Sequence, residues 1–248
     1  MPPAVALRSF PSSDVKVPTP ASYRELLRTG KWFAGLPESL QDQLLARATL
    51  RTFAKRRVLV HPWQPAAGLF GIVDGRVLVR SRLDEVSVPM VRMAFDAPSW
   101  LGEHAIIDPA LPPLGIDVVA DVDTEAVFIA AGDVRALLAQ HPASWQHLAT
   151  LAAHHMHQVV TAAIELEHVN PEARVARRLV WMARGHGDYV SHCRVISVSQ
   201  ASLAMMVDQS RQTLNTHLKA LERKGLISVG YCSIEVLDAE GLMAMPSR

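Results

Sequence analysis

The sequence predicts an α+β fold in three parts: an N-terminal β-barrel or jelly roll, one long helix, and a C-terminal helix-turn-helix with flanking strands. Three observations carry this reading. Between residues 58 and 130, short runs rich in Val, Ile and Phe are broken by turn residues, the pattern of a small barrel. From 143 to 170 there is no Pro or Gly, and apolar or small residues recur every three or four positions. From 199 to 227, two short amphipathic segments meet at a turn. A chain of 248 residues has room for one or two domains.

Residues 1–22, rich in Pro and Ser and without periodic apolar positions, read as a mobile tail. Residues 23–48 read as short helices built on Leu26, Leu27, Trp32, Phe33, Leu36, Leu40, Leu44 and Leu45. Strands are expected at 58–60, 69–73, 77–79, 86–93, 116–122 and 126–130, with Asp74-Gly75 as a hairpin turn. The barrel domain therefore spans 23–141, and a short helix at 133–140 closes it before His141-Pro142. The long helix, 142–170, would measure about 40 Å. Trp145, Leu148, Ala152, His155, Val159, Ala162 and Leu166 form one seam along it. Such a seam predicts a two-stranded contact between two copies of the chain, with a core helix inside one subunit as the alternative. In the last domain, 171–248, Pro171 opens a helix that ends at Gly185. Segments 195–198, 227–229 and 234–236 complete it as strands beside the helix pair.

Bulk composition excludes more than it selects. Hydrophobic residues make up 49% and charged residues 20%, which fits a globular protein with a sizeable core. A net charge of +1 gives no bulk attraction to nucleic acid. The distribution is uneven, however. From 190 to 231 there are five bases (Arg194, Arg211, Lys219, Arg223, Lys224) against two acids (Asp208, Glu222). From 93 to 134 there are eight acids and no Lys or Arg. Two cysteines, Cys193 and Cys232, indicate no disulfide framework and fit a cytoplasmic location; they read as inert thiols. The uncharged stretch 136–164 is long enough to span a bilayer, but its His and Gln residues argue against a span.

The helix pair carries the most chemistry. Ser199 is placed to cap the first helix, whose inner face is Leu203, Ala204 and Val207. Asp208-Gln209 makes the turn, and Ser210 caps a second helix that stops at Gly225. Leu214, Leu218 and Leu221 fall on one side of that helix. Arg211, Gln212, Asn215 and Thr216 fall on the other, near the N-terminus, where side chains reach base edges in a major groove. Ser199, Gln200, Ser210, Thr213, Lys219, Arg223 and Lys224 are candidates for phosphate contacts. The alternative is an ordinary helical hairpin with a solvated face.

In this order of parts, the chain resembles the CRP/FNR family of bacterial transcription regulators. The resemblance covers about 23–236. It rests on Val73-Asp-Gly75-Arg-Val and Leu101-Gly102-Glu103 in the barrel. In the head it rests on Leu203-Ala204, Val207, Ser210-Arg211-Gln212-Thr213, Leu218, Leu221 and Gly225-Leu226-Ile227. It implies a homodimer binding a near-palindromic operator in double-stranded DNA, with RNA polymerase as a further partner. Two departures matter. Gln212 stands where the family usually has Glu, and Thr216 where its prototypes carry a second Arg, so a different operator is expected.

The barrel lacks what the family's cyclic-nucleotide binders use. Glu103 matches the residue that takes the ribose hydroxyl, but Leu114-Gly115 stands where Arg-Ser would neutralise the phosphate. With Gly102, Glu103, Leu114 and Gly115 as the candidate effector pocket, cyclic AMP is not expected to bind. No cofactor is expected, and two cysteines fall short of an iron–sulfur cluster. The histidines, including His61, His104, His147, His154, His155 and His157, leave a haem-, metal- or small-molecule-sensing module as the alternative. No nucleophile–base pair, phosphate-cradling glycine loop or strand-borne ligand spacing points to an enzyme.

Overall fold

The computed structural model describes residues 20–64, 67–82, 84, 90–110, 112, 115–184 and 194–246. The predicted tail falls outside these residues up to 19, and its last three positions open helix α1 (Pro20–Leu27). Helices α2 (Lys31–Ala34) and α3 (Glu38–Leu45) follow, as the apolar spacing indicated.

The next part is a jelly roll of two antiparallel four-stranded sheets. One has the order β1 (Thr49–Phe53), β8 (Thr124–Ala130), β3 (Gly68–Asp74), β6 (Ser99–Leu101). The other has β2 (Val58–Val60), β7 (Ile116–Ala120), β4 (Arg76–Ser81), β5 (Met90–Asp96). Their inner faces meet through Phe70, Ile72, Leu101 and Phe128 on one side and Val77, Met93, Phe95 and Val118 on the other. Asp74-Gly75 is not a hairpin turn: β3 and β4 lie in different sheets, and the turn carries the chain between them. Gly75 has φ +84, and a Cβ there would sit 2.5 Å from the Asp123 carbonyl. Asp-Gly encodes the local turn; it does not encode which strand lies beside which. Strands β1 and β6 and the short α4 (His104–Ile107) went unread, because β1 is largely solvent-facing and the other two are only three and four residues long.

The outer face of β3 is covered by α1–α3, α5 (Ala131–Gln140) and the start of α6 (Trp145–His168). Trp100 stacks on Phe33 with centroids 5.3 Å apart. Trp32 Nε1 donates to the His147 carbonyl at 2.7 Å, which pins α2 to α6.

Helix α6 has two apolar sides. Leu148 and Leu151 are buried in their own chain's core, and His155, Gln158 and Glu165 continue that face. Met156, Val159, Val160 and Ile164 form an uncovered ridge on the far side. The predicted seam falls between them and is divided. Trp145 and Leu148 pack within the chain, and His155 meets Glu103. Ala152, Ala162 and Leu166 are half-buried, and only Val159 lies on the open ridge. A 3-4 spacing marks an apolar stripe but not which neighbour covers it.

The head comprises α7 (Pro171–Ala183), β9 (Val195–Ser197), α8 (Gln200–Met206), α9 (Arg211–Arg223), β10 (Ile227–Gly230), β11 (Ser233–Val236) and α10 (Ala239–Met243). Asn170 caps α7 by accepting from Ala173 N. The predicted stop at Gly185 lies outside the described residues. The wing is a three-stranded sheet with β11 in the middle. Leu203, Val207, Leu214, Leu218, Leu221, Ile227 and Ile234 share one core with Leu78, Val91 and Ala94 from the barrel. A register shift between Val79 and Arg80 accompanies this contact. The head is therefore seated on the outer face of β4 and β5.

Candidate nucleic-acid interface

Both predicted caps form. Ser199 accepts from Ser202 N and Ser210 from Thr213 N, each at 3.0 Å, satisfying an orphan donor at each helix start. Asp208, at φ +53, makes the turn, and Gly225, at φ +72, ends α9. A tie that the sequence reading missed fixes the turn: Gln209 donates to the Pro171 carbonyl at 2.7 Å and pairs with His217 Nδ1 at 2.9 Å. His217 is eight positions past Gln209, a spacing that alone gives no contact signal.

On α9, Leu214, Leu218 and Leu221 are buried, leaving the opposite face outward. Arg211, Gln212, Thr213 and Thr216 are exposed and Asn215 half-buried. Thr213 and Ser210 share a hydroxyl contact of 2.8 Å, and Thr216 Oγ1 donates to the Gln212 carbonyl at 3.2 Å. That leaves the Thr216 methyl outward. Arg211, Gln212 and Asn215 make no side-chain hydrogen bond or ion pair with the described residues, so their polar ends remain available on one face. The N-terminus of α9 adds partial positive charge beside them.

The predicted phosphate set is divided. Lys219 and Arg223 are exposed, whereas Lys224 Nζ lies 2.7 Å from Glu172 on α7. Ser199 and Gln200 are half-buried. Ser202, beneath them, donates to Asp121 Oδ1 at 2.9 Å on the turn between β7 and β8. Asp121 in turn faces the buried Arg76, which pairs with Asp96 at 2.6 Å. Burial raises the Asp96 carboxyl above its ordinary range, against the pull of Arg76. This clasp links barrel and head.

The acidic run of the barrel is largely paired by residues outside it. Asp117 takes Arg80 in a fork of 2.7 and 2.8 Å, with Arg82 at 3.4 Å. These arginines come from β4 and its end, so a count along 93–134 could not show them. In the predicted effector pocket, Leu114 lies outside the described residues. Gly115 is buried, and Gly102, at φ +101, turns the chain so that Glu103 points inward. Glu103 is already engaged: its Oε1 lies 2.8 Å from His155 Nδ1. The His155 ring stands edge-on to Phe95 with centroids 5.1 Å apart. Burial would raise the Glu103 carboxyl, but the hydrogen bond and charge of His155 outweigh it and hold the group below the usual carboxylate range.

Among the described residues, no three His, Cys, Asp or Glu gather as a metal set, and no helix is long and apolar enough to cross a membrane. Cys232 is exposed and unpaired, and Cys193 lies outside the described residues.

Comparison with known proteins places these features. Residues 173–245 match the Crp-like helix-turn-helix domain. The chain is 22% identical to a Mycobacterium tuberculosis protein named CRP-like cAMP-activated global transcriptional regulator, over 88% of this chain and 97% of the relative. It is 23% identical to the cAMP-activated global transcriptional regulator CRP of Haemophilus influenzae, over 80% of this chain and 88% of the relative. Among solved structures, FixK2 from Bradyrhizobium japonicum superposes with a TM-score of 0.69 at 16% identity, covering 79% of this chain and 95% of FixK2. The c-di-GMP-responsive regulator CLP of Xanthomonas campestris gives 0.63 at 18% identity, covering 81% and 99%. At these identities the structural likeness establishes the fold alone.

Proposed function

We propose, from the Crp-like helix-turn-helix match over 173–245 and the likeness to two CRP regulators along most of the chain, that this is a DNA-binding transcription regulator of the CRP/FNR type that acts in the cytoplasm as a homodimer on a near-palindromic operator. The observation that carries this reading is the unengaged set of Arg211, Gln212 and Asn215 on the exposed N-terminal half of α9. Arg211 presents a fork matched to guanine O6 and N7, and Gln212 both donates and accepts, which suits adenine N6 and N7. Thr216 offers a methyl for a thymine. Lys219, Arg223 and the capped helix starts at Ser199, Gln200, Ser210 and Thr213 supply sequence-blind phosphate contacts. Lys224 contributes only after leaving Glu172.

Two heads are needed to read two half-sites, and the ridge of Met156, Val159, Val160 and Ile164 on α6 is the apolar surface that would join them. RNA polymerase is the further partner through which bound protein would change transcription; no enzymatic step is proposed. The barrel does not take a cyclic nucleotide in this reading. The carboxylate that would hold the ribose is held by His155, and Arg80 and Arg82 are committed to Asp117.

Selection of bound duplexes from a random pool tests the proposal. Purified protein should enrich a two-fold-related motif with guanine and adenine at the positions read by Arg211 and Gln212. Enrichment of nothing above bulk competitor, or of a single half-site by a monomer, overturns it.

A further inference from the structure

One run of the barrel carries charge that neither its own packing nor the outer face of α9 uses. From 43 to 73 there are five bases, Arg47, Arg51, Lys55, Arg56 and Arg57, and no acid. All five are exposed. Among the described residues none of them enters an ion pair. Arg47 donates to the Gln43 carbonyl and Arg51 lies over the Phe128 ring at 3.4 Å, while Lys55, Arg56 and Arg57 make no side-chain hydrogen bond. β1 is the edge strand of its sheet, with no strand beyond it. Lys55 and Arg56 form the tight turn from β1 to β2, closed by Arg57 N donating to the Ala54 carbonyl at 2.9 Å. Arg56 stands there at φ +71, where such a turn favours glycine. A charged side chain is therefore displayed at a cost to the backbone. Hydrogen bonds also fix where this turn lies. Lys55 N donates to Asp123 Oδ1 at 2.8 Å and Arg56 N to the Ala120 carbonyl at 2.7 Å, which holds it against the turn between β7 and β8. That same turn supplies Asp121, which accepts from Ser202 near the start of α8. Asp121 and Asp123 are two positions apart, at most about 7 Å of chain.

We infer that this basic turn is a second contact for duplex DNA. Beyond the half-site read by α9, the flanking duplex continues past the start of α8 onto the barrel, with its phosphates on Lys55, Arg56 and Arg57. Arg51 and Arg47 extend the positive track along β1 and the residues before it. This contact presupposes the DNA-binding reading and adds where the duplex runs outside the half-site. A row of unpaired Lys and Arg attracts an extended polyanion without regard to sequence. Continuity selects the duplex among polyanions, because the adjoining start of α8 already offers phosphate contacts at Ser199 and Gln200. The two acids in between are engaged. Asp121 accepts from Ser202 and faces Arg76, and Asp123 accepts the Lys55 backbone N–H. Their charge still repels a phosphate, so the duplex meets the cations beyond them and not the acidic turn itself.

The test compares two duplexes carrying the selected operator, one ending at the half-sites and one with about two helical turns of flank on each side. The full chain should bind the longer duplex about tenfold more tightly and with a steeper salt dependence. A combined Lys55→Gln, Arg56→Gly, Arg57→Gln variant eases the turn while removing its charge. It should lose the gain from the flanks and flatten the salt slope on the long duplex, yet bind the short one as before. The proposal is overturned if flanks add no affinity to the full chain. It is overturned too if the variant, folded by circular dichroism, binds the long duplex as tightly as the unmodified chain. That holds even where the variant no longer supports transcription in vitro, a result that assigns the patch to an acidic protein instead. Equal loss on both duplexes also overturns it, because the cations then act as a general attraction and not as a flank contact. Binding of the short duplex reads the regulatory function separately, so either can fail without the other.

Discussion

Arg211 and Gln212 sit one position apart on α9, yet they differ in what a substitution should do. Arg211→Ala removes a bidentate base contact and should cost about 1–3 kcal/mol on the selected operator while relaxing one position. Gln212→Glu keeps the shape but leaves only an acceptor, so the preferred base at its position should move from adenine to cytosine. Repeating the duplex selection with each variant checks both. The Glu103–His155 contact is a residue-scale prediction of another kind. Because the folded pKa of Glu103 lies below its unfolded value, the pair's stabilisation is present above the ordinary carboxylate range. It is lost as pH falls through the depressed value. His155→Ala should cost about 3–5 kcal/mol near neutral pH, since it leaves a buried carboxylate unpaired. It should also move the Glu103 carboxyl upward, because burial is then opposed only by a backbone hydrogen bond and the charge of His104. Chemical denaturation across acid pH, with Glu103→Gln as reference, reads both effects. The caps at Ser199 and Ser210 were legible in the sequence because a cap is a contact three residues long. The partner of Glu103 was not, being 52 positions away.

Helices α8 and α9 appear where the sequence placed them, because each carries its own cap, its own buried leucine stripe and its own stop. Leu218→Ala, which empties a fully packed position in the head core, should destabilise the protein by about 2–5 kcal/mol, measured by denaturant unfolding. Helix α6 teaches the opposite lesson. Its length followed from the absence of Pro and Gly, but its two apolar sides could not be assigned from periodicity alone. The inner side is decided by the barrel against which it packs. The outer ridge yields the element-scale prediction: Met156→Glu with Val160→Glu should shift the protein from dimer to monomer in sedimentation equilibrium without unfolding it. The same monomer should lose most of its affinity for a two-half-site operator while keeping weak binding to one half.

Barrel and head are joined at the level of the whole molecule by two features. Leu78, Val91 and Ala94 enter the head's apolar core, and Ser202 reaches Asp121 beside the buried Arg76–Asp96 pair. A shared core predicts shared cooperativity. Thermal unfolding of a Trp145→Phe, Trp181→Phe variant, whose remaining tryptophans precede α6, followed by fluorescence and by helical ellipticity, should give coincident transitions. Leu78→Ala, although it lies in a barrel strand, should lower hydrogen-exchange protection in α8 as well as in β4. Separate transitions for the two probes would show that this contact does not bind the parts into one folding unit.

By itself the sequence determined what depends on neighbours a few residues away: helix starts and stops, the alternation of strands, the apolar stripes and the polar face of α9. Only the tertiary structure decided which elements meet. It put β3 and β4 in different sheets despite an Asp-Gly turn, and it supplied the acidic run with arginines from β4. It also closed His155 on Glu103. Local backbone preferences are written residue by residue, whereas a contact across the fold is the joint outcome of every surface competing for burial.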